Sequence, residues 1–199
     1  MTNARSISGR AYTVERVMEQ VRKDRVFYEK SGGGVTCSGG ECMLQPAFLR
    51  ALLQACREEG ISTAVDTAGC VPFERFEAVM PYTDLFLYDI KCASPERHRA
   101  FTGVDNRLIL ENYRRLVEAG ARVWVRIPLI PGFNDDPAEL RAVREILIEH
   151  RPERLDLLPY HSYGLNKQEA AGHGKPWESR VPTEMEMDTY RAIFKEADL

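Results

Sequence analysis

Residues 31–45 read Ser31-Gly-Gly-Gly-Val35-Thr36-Cys37-Ser38-Gly39-Gly40-Glu41-Cys42-Met43-Leu44-Gln45, and Pro46 follows. A short run holding β-branched Val35 and Thr36 stops at a Gly39-Gly40 corner, and the carboxylate of Glu41 comes next. Glycine has no Cβ, so a polar ligand can approach the main chain there. Proline suits the first position of a helix, and Pro46 opens an amphipathic segment. The stretch predicts a strand, a polar corner and a helix in succession, with a binding site at the carboxyl end of the strand.

The same unit recurs along the chain. Upstream, Val14, Val17, Met18 and Val21 repeat at helical spacing, with Thr13 as N-cap. Downstream, a helix over Pro46–Glu59 places Phe48, Leu49, Leu52, Leu53 and Cys56 on one face and stops at Gly60. Strands are expected at Val35–Ser38, Ser62–Thr67, Leu85–Ile90, Arg122–Ile127 and Leu155–Pro159. Helices are expected near Phe73–Met80, after Ser94-Pro95, over Arg107–Ala119 and from Asp136-Pro137 onward. A polar loop from His161 to Pro182 precedes a last helix that Thr183 and Glu186 cap. Strands alternating with helices mean a parallel sheet in right-handed βα units, hence an α/β fold. A full or partial β/α barrel and an open doubly wound sheet are the competing arrangements. The first βα loop lacks GxGxxG, which disfavours a dinucleotide fold.

Composition narrows the function classes. A chain of 199 residues suffices for one domain, read here as 1–199. The net charge of -3 is small and both signs are interspersed, so neither nucleic acid nor an anionic membrane is indicated. No apolar run approaches a membrane span and no signal peptide opens the sequence, which places the protein in the cytoplasm. The five cysteines, Cys37, Cys42, Cys56, Cys70 and Cys92, are odd in number and scattered, unlike a secreted disulfide framework. No CxxC occurs, and Cys37-x4-Cys42 reads as structural rather than metal-binding.

Each expected strand ends in polar residues: Gly39-Gly40-Glu41, Asp66-Thr67, Asp89-Ile90-Lys91, Arg126 running into Pro128 and Pro131-Gly132, and Tyr160-His161. In a parallel β/α sheet these ends share one rim. Carboxylates, a lysine, an arginine and a histidine around one cavity suit a zwitterionic ligand. Each group also has a plainer reading. A Gly-Gly corner is often only a turn, Asp66-Thr67 can cap a helix, Lys91 can be a solvated strand end and His161 a loop histidine. A lone arginine within a strand needs a partner, and Arg126 is such a residue. His98, His150 and His173 form no metal-ligand pair by spacing.

The ordered motifs Ser31-Gly-Gly-Gly-Val-Thr36, Ser38-Gly-Gly-Glu41, Asp66-Thr67-x-Gly69, Asp89-Ile-Lys91 with His98-x3-Thr102-Gly103, Arg126-x-Pro-x-Ile-Pro131-Gly132-x-Asn134-Asp135 and Leu158-Pro-Tyr-His161-x2-Gly164 resemble the glycyl-radical enzyme activating enzymes, such as the pyruvate formate-lyase activating enzyme. The resemblance runs from about residue 9 to the C-terminus. It implies a partial (β/α)6 barrel of radical S-adenosylmethionine (SAM) type. It also implies a [4Fe-4S] cluster, S-adenosylmethionine as cofactor, an electron donor such as flavodoxin or ferredoxin, and a glycyl-radical enzyme as protein substrate. In such a system a 5′-deoxyadenosyl radical takes a hydrogen from a glycine of the partner.

Carried over by motif, the resemblance implies cofactor contacts from Gly39, Gly40, Glu41, Asp66, Thr67, Asp89, Ile90, Lys91, Arg126 and His161. It implies a monovalent cation at Asp66, Thr67 and Asp89, and a role for His98, Thr102 and Gly103 in receiving the partner's glycine loop. The family's Cys-x3-Cys-x2-Cys cluster motif does not occur. The expectation is therefore a chain lacking the first strand and the cluster loop, with residues 1–10 a remnant of the segment after them, and inactive alone. A separate polypeptide carrying the cluster, or a cluster-free binding module for a glycyl-radical enzyme, are the alternatives. A third reading is a β/α-barrel lyase or aldolase with Lys91 as Schiff base.

Overall fold

The computed structural model describes residues 10–161 and 179–199. Residues 1–9, and within the expected 161–182 loop residues 162–178 with Gly164 and His173, lie outside them. Thr13 caps α1 (Val14–Val21), its hydroxyl accepting from the Arg16 amide at 3.3 Å. A 3-10 turn leads to α2 (Arg25–Ser31), which the sequence reading missed. It buries no residue, so its apolar side chains carry no inward-facing period.

The units that follow are β1 (Gly34–Cys37), α3 (Pro46–Glu58), β2 (Ser62–Thr67), α4 (Glu74–Val79), β3 (Leu85–Asp89), α5 (Pro95–Thr102) and α6 (Arg107–Glu118). β4 (Val123–Leu129), α7 (Pro137–Glu149), β5 (Arg154–Pro159) and α8 (Glu184–Lys195) complete the described elements. β4 runs two residues beyond its expected end, through Pro128. Its pairing with Leu158 and Pro159 of β5 overrides the local signal of the proline.

All four pairings are parallel and the strand order is β1-β2-β3-β4-β5. An order that never reverses, with right-handed crossovers, carries the helices to one face. A doubly wound sheet requires a reversal, so the winding is that of a barrel left open. Side-chain alternation agrees. Val65, Phe86, Tyr88, Val125 and Ile127 are at most 1% exposed and share one core with Met18, Leu53, Phe76, Leu116, Leu147 and Phe194 from the helices. Burying a leucine such as Leu53 completely contributes about 2–3 kcal/mol. The opposite face carries Asp66, Leu87, Asp89, Trp124 and Arg126, all partly exposed. This second face, concave in a barrel, is where polar groups gather.

The outer edges of β1 and β5 pair with no described residue. A groove of about 550 Å³ runs beside β1, lined in part by Tyr12, Val17, Val35, Phe48 and Leu52. Unpaired strand edges template further pairing. The chain on its own is expected to self-associate, seen in sedimentation velocity as species heavier than the monomer that grow with concentration. A single monomeric boundary up to the highest concentration would rule this out.

Candidate functional site at the carboxyl rim

Parallel strands put Asp66, Asp89 and Arg126 on the same face near their carboxyl ends, with Asp89 and Arg126 in direct register. The Arg126 fork spans both carboxylates. Nε and Nη2 donate to Asp89 Oδ1 at 2.9 and 2.8 Å, and Nη2 also donates to Asp66 Oδ1. Burial alone would lower the guanidinium's pKa, but the charges and hydrogen bonds of Asp89 and Asp66 outweigh it and raise the pKa above its ordinary value. The partner that the sequence demanded for a lone strand arginine is thus a pair of aspartates. Ser38 donates to Asp66 Oδ2 at 2.9 Å, and Lys91 Nζ lies 3.7 Å from Asp89 Oδ2. Five groups from the ends of four strands form one charge-balanced row: two anions, two cations and a hydroxyl.

The first corner is held by its own carboxylate. Glu41 turns toward the end of β2 rather than along the open face. Thr67 Oγ1 lies 2.9 Å from both of its carboxylate oxygens, and the amides of Ala68 and Met43 donate to it at 3.1 Å. Thr67 also accepts from the Gly69 amide at 3.0 Å. Glu41 thereby ties the β1 and β2 loops together, and this tether leaves Gly39-Gly40 standing clear. A Cβ on either glycine would meet nothing within 4 Å, and Gly39 holds φ 135°, a conformation that favours glycine. The side chains of the three residues implied for a monovalent cation lie on two faces of the sheet. Asp66 and Asp89 converge on Arg126, whereas Thr67 is buried on the other face of β2 against Glu41. Ile90 is buried and its amide donates to Arg126 O at 3.1 Å. His161 follows β5 at the same rim.

One motif is absorbed by local structure. His98 is 3% exposed, and its Nδ1 lies 2.7 Å from Val104 O and 3.0 Å from Thr102 Oγ1. Desolvation holds the His98 pKa below its usual value. Gly103 ends α5 in the left-handed conformation. The His98-x3-Thr102-Gly103 segment is therefore the C-cap of α5.

The cysteines do not assemble. Burial pushes the thiol pKa of Cys37 up to about 12, of Cys42 to about 11 and of Cys92 to about 12. The Cys42 thiol lies 3.4 Å from the carbonyls of Cys37 and Asp66. Thiolates are the metal-binding form. Among the described residues no group of three His, Cys, Asp or Glu side chains can hold a metal ion.

A set of buried residues stands behind the rim. Asn134 is 1% exposed, and Nδ2 donates to Lys91 O at 2.6 Å and Pro128 O at 2.7 Å. Asn106 donates to Cys92 O and Ala93 O, and Glu139 accepts from the Ala93 and Ser94 amides. Asn134 stood in a recognisable motif; Asn106 stands at the N-cap position of α6, but its side chain makes no capping bond and turns to the carbonyls of Cys92 and Ala93 instead.

The radical SAM superfamily pattern matches residues 2–142. The trans-4-hydroxy-L-proline dehydratase activating enzyme of Clostridioides difficile is 40% identical over 98% of this chain and 66% of that protein. The pyruvate formate-lyase-activating enzyme of Clostridium pasteurianum is 36% identical over 81% of this chain and 68% of that protein. A solved domain of the pyruvate-formate lyase-activating enzyme from Bacteroides vulgatus superposes with a TM-score of 0.72 at 35% identity, covering 84% of this chain and 96% of that one. The chain spans from about half to two thirds of the length of the curated relatives it matches. On this likeness in sequence and in fold, the chain belongs to the radical SAM superfamily, among the glycyl-radical enzyme activating enzymes.

Proposed function

We propose that the carboxyl rim binds S-adenosylmethionine and that the chain serves in the activation of a glycyl-radical enzyme. The observation that carries this reading is the charge-balanced row at one end of the sheet, beside an open glycine corner. The methionine end of the ligand is a zwitterion. Asp66 and Asp89 suit its ammonium, Lys91 and Arg126 suit its carboxylate, and the amides of Gly39-Gly40 are open to its polar atoms. Glu41 and Thr67 act on the pocket by shaping that corner, Ile90 by fixing the third strand end, and His161 by its place on the rim. When bound, S-adenosylmethionine supplies the group that abstracts hydrogen from the partner's glycine.

Ligation of the [4Fe-4S] cluster is not assigned to this chain's residues, and neither is contact with an electron donor such as flavodoxin or ferredoxin. A cytoplasmic setting suits the five free cysteines, and among the described residues no helix is long and apolar enough to cross a membrane.

Calorimetric titration of the chain with S-adenosylmethionine is expected to show saturable one-to-one binding, weakened about tenfold by Lys91→Met. An absence of binding would overturn the reading. The scatter of the five free cysteines, which form no group of three metal-ligating side chains among the described residues, favours one second reading, a cluster-free module that docks on a glycyl-radical enzyme. That reading predicts a complex with the enzyme whose affinity is indifferent to S-adenosylmethionine.

A further inference from the structure

We infer that Asn134, Asn106 and Glu139 are positioning residues that form a rigid mount for Lys91, and that this mount sets how the rim recognises a ligand carboxylate. The inference rests on the S-adenosylmethionine reading above. Lys91 leaves β3 on an irregular stretch, Lys91–Ser94, where no strand neighbour takes up the main chain. Buried side chains replace the missing ladder. Asn134, from the β4–α7 loop, donates at 2.6 Å to the carbonyl of Lys91 itself. Asn106, just before α6 and 1% exposed, donates to the carbonyls of Cys92 at 2.7 Å and Ala93 at 3.0 Å. Glu139, in the first turn of α7 and 8% exposed, accepts from the amides of Ala93 and of Ser94, the latter at 2.9 Å. Arg97 stands 3.9 Å from the other Glu139 oxygen, which keeps the buried charge paired.

Five main-chain groups between Lys91 and Ser94 are thus held by three side chains from three different places in the fold. Buried polar groups are costly unless matched; in this set the side-chain amide of Asn106 is matched on both carbonyls, while its Oδ1 has no partner among the described residues. An ordinary surface turn would leave these groups to water. Asn134 also donates to Pro128 O and accepts from the Ile130 amide at 2.8 Å, so the same side chain clamps the strand ends that carry Lys91 and Arg126. A lysine has four rotatable side-chain bonds and gains precision only from a fixed root. Fixing its Cα fixes the reach of Nζ, which lies beside Asp89.

The test separates positioning from general stability by comparing two nucleosides. S-adenosylhomocysteine carries the amino-acid carboxylate and methylthioadenosine lacks it. Asn134→Ala is expected to weaken S-adenosylhomocysteine about tenfold and methylthioadenosine by less than about twofold. Glu139→Ala should do the same, and Glu139→Gln, which keeps the acceptor, should restore the affinity. Asn134→Ala on a Lys91→Met background should add no further loss, because the effect runs through Lys91. Equal losses for both nucleosides, or additive losses in the double variant, overturn the inference. Hydrogen exchange of the unliganded chain provides an independent reading: slow Ala93 and Ser94 amides that become fast in Glu139→Ala support the mount, and fast exchange in the wild type overturns it. Should the wild-type chain bind neither nucleoside, the S-adenosylmethionine reading falls and exchange alone decides on the mount.

Discussion

Gly69→Ala is expected to be strongly destabilising. A Cβ at Gly69 would lie 1.8 Å from Tyr88 Oη and 2.3 Å from its Cζ. Tyr88 cannot retreat: it is fully buried, packs against Phe76 and Tyr113, and donates to Ile109 O at 2.7 Å. Gly69 also holds φ 75°, which costs a side-chain-bearing residue about 1–2 kcal/mol. Overpacking adds about 1–3 kcal/mol. The two together take about 2–5 kcal/mol from a total that for domains of this kind is about 5–15 kcal/mol. Urea unfolding should show the loss as a lowered midpoint at unchanged slope. Gly103→Ala is the matched control. Its φ is 89° but its Cβ would enter open space, so only the backbone cost should appear. Equal midpoints for the two variants would remove Tyr88 as the cause. The damage should also reach the rim, because the Gly69 amide donates to Thr67, which in turn is bonded to Glu41.

The second large effect is expected from Arg126→Ala. Removing the guanidinium leaves Asp66 and Asp89 facing each other with only Ser38 and Lys91 close by. Breaking a buried charge pair costs about 3–5 kcal/mol. These aspartate side chains are 23% and 25% exposed, so solvent should reduce the cost to roughly 2–3 kcal/mol. Arg126→Lys should recover little, because one ammonium cannot span two carboxylates as a fork does. Arg126→Ala combined with Asp89→Asn should be more stable than Arg126→Ala alone, since the substitution removes the uncompensated charge. An Arg126→Ala variant as stable as wild type, or a double variant that loses the sum of two independent costs, would show that the row is not electrostatically coupled.

Much of the fold was legible because strands and helices here are short, regular and punctuated. Gly60 and Gly120 follow α3 and α6 closely, Pro46, Pro95 and Pro137 open α3, α5 and α7, and the capping box of Thr183 and Glu186 opens α8. α2 escaped because it buries nothing. The choice between barrel-type and doubly wound sheets was not legible, because strand order is a property of pairing rather than of any one segment.

At the site, the need for a partner at Arg126 could be read from the letters, but the identity of the partner depends on registers set 37 and 60 residues away. The ligand contact of Glu41 is implied by the resemblance alone, and the letters do not show where its side chain turns. It faces inward because Thr67 and two amides offer it better company than water does. The reason for a glycine at position 69 belongs to a tyrosine on the next strand, and the reason for Asn134 to a carbonyl 43 residues earlier. Local patterns mark such positions without saying what they touch.

The unreversed strand order has a consequence for how this molecule is made. Every strand docks on the one synthesised just before it, so chain growth and sheet growth proceed in the same direction. A nascent chain emerging from the ribosome can add one βα unit at a time to an existing template. The loops that must close are single crossovers, which keeps the entropic cost of each step small and nearly equal from the first unit to the last.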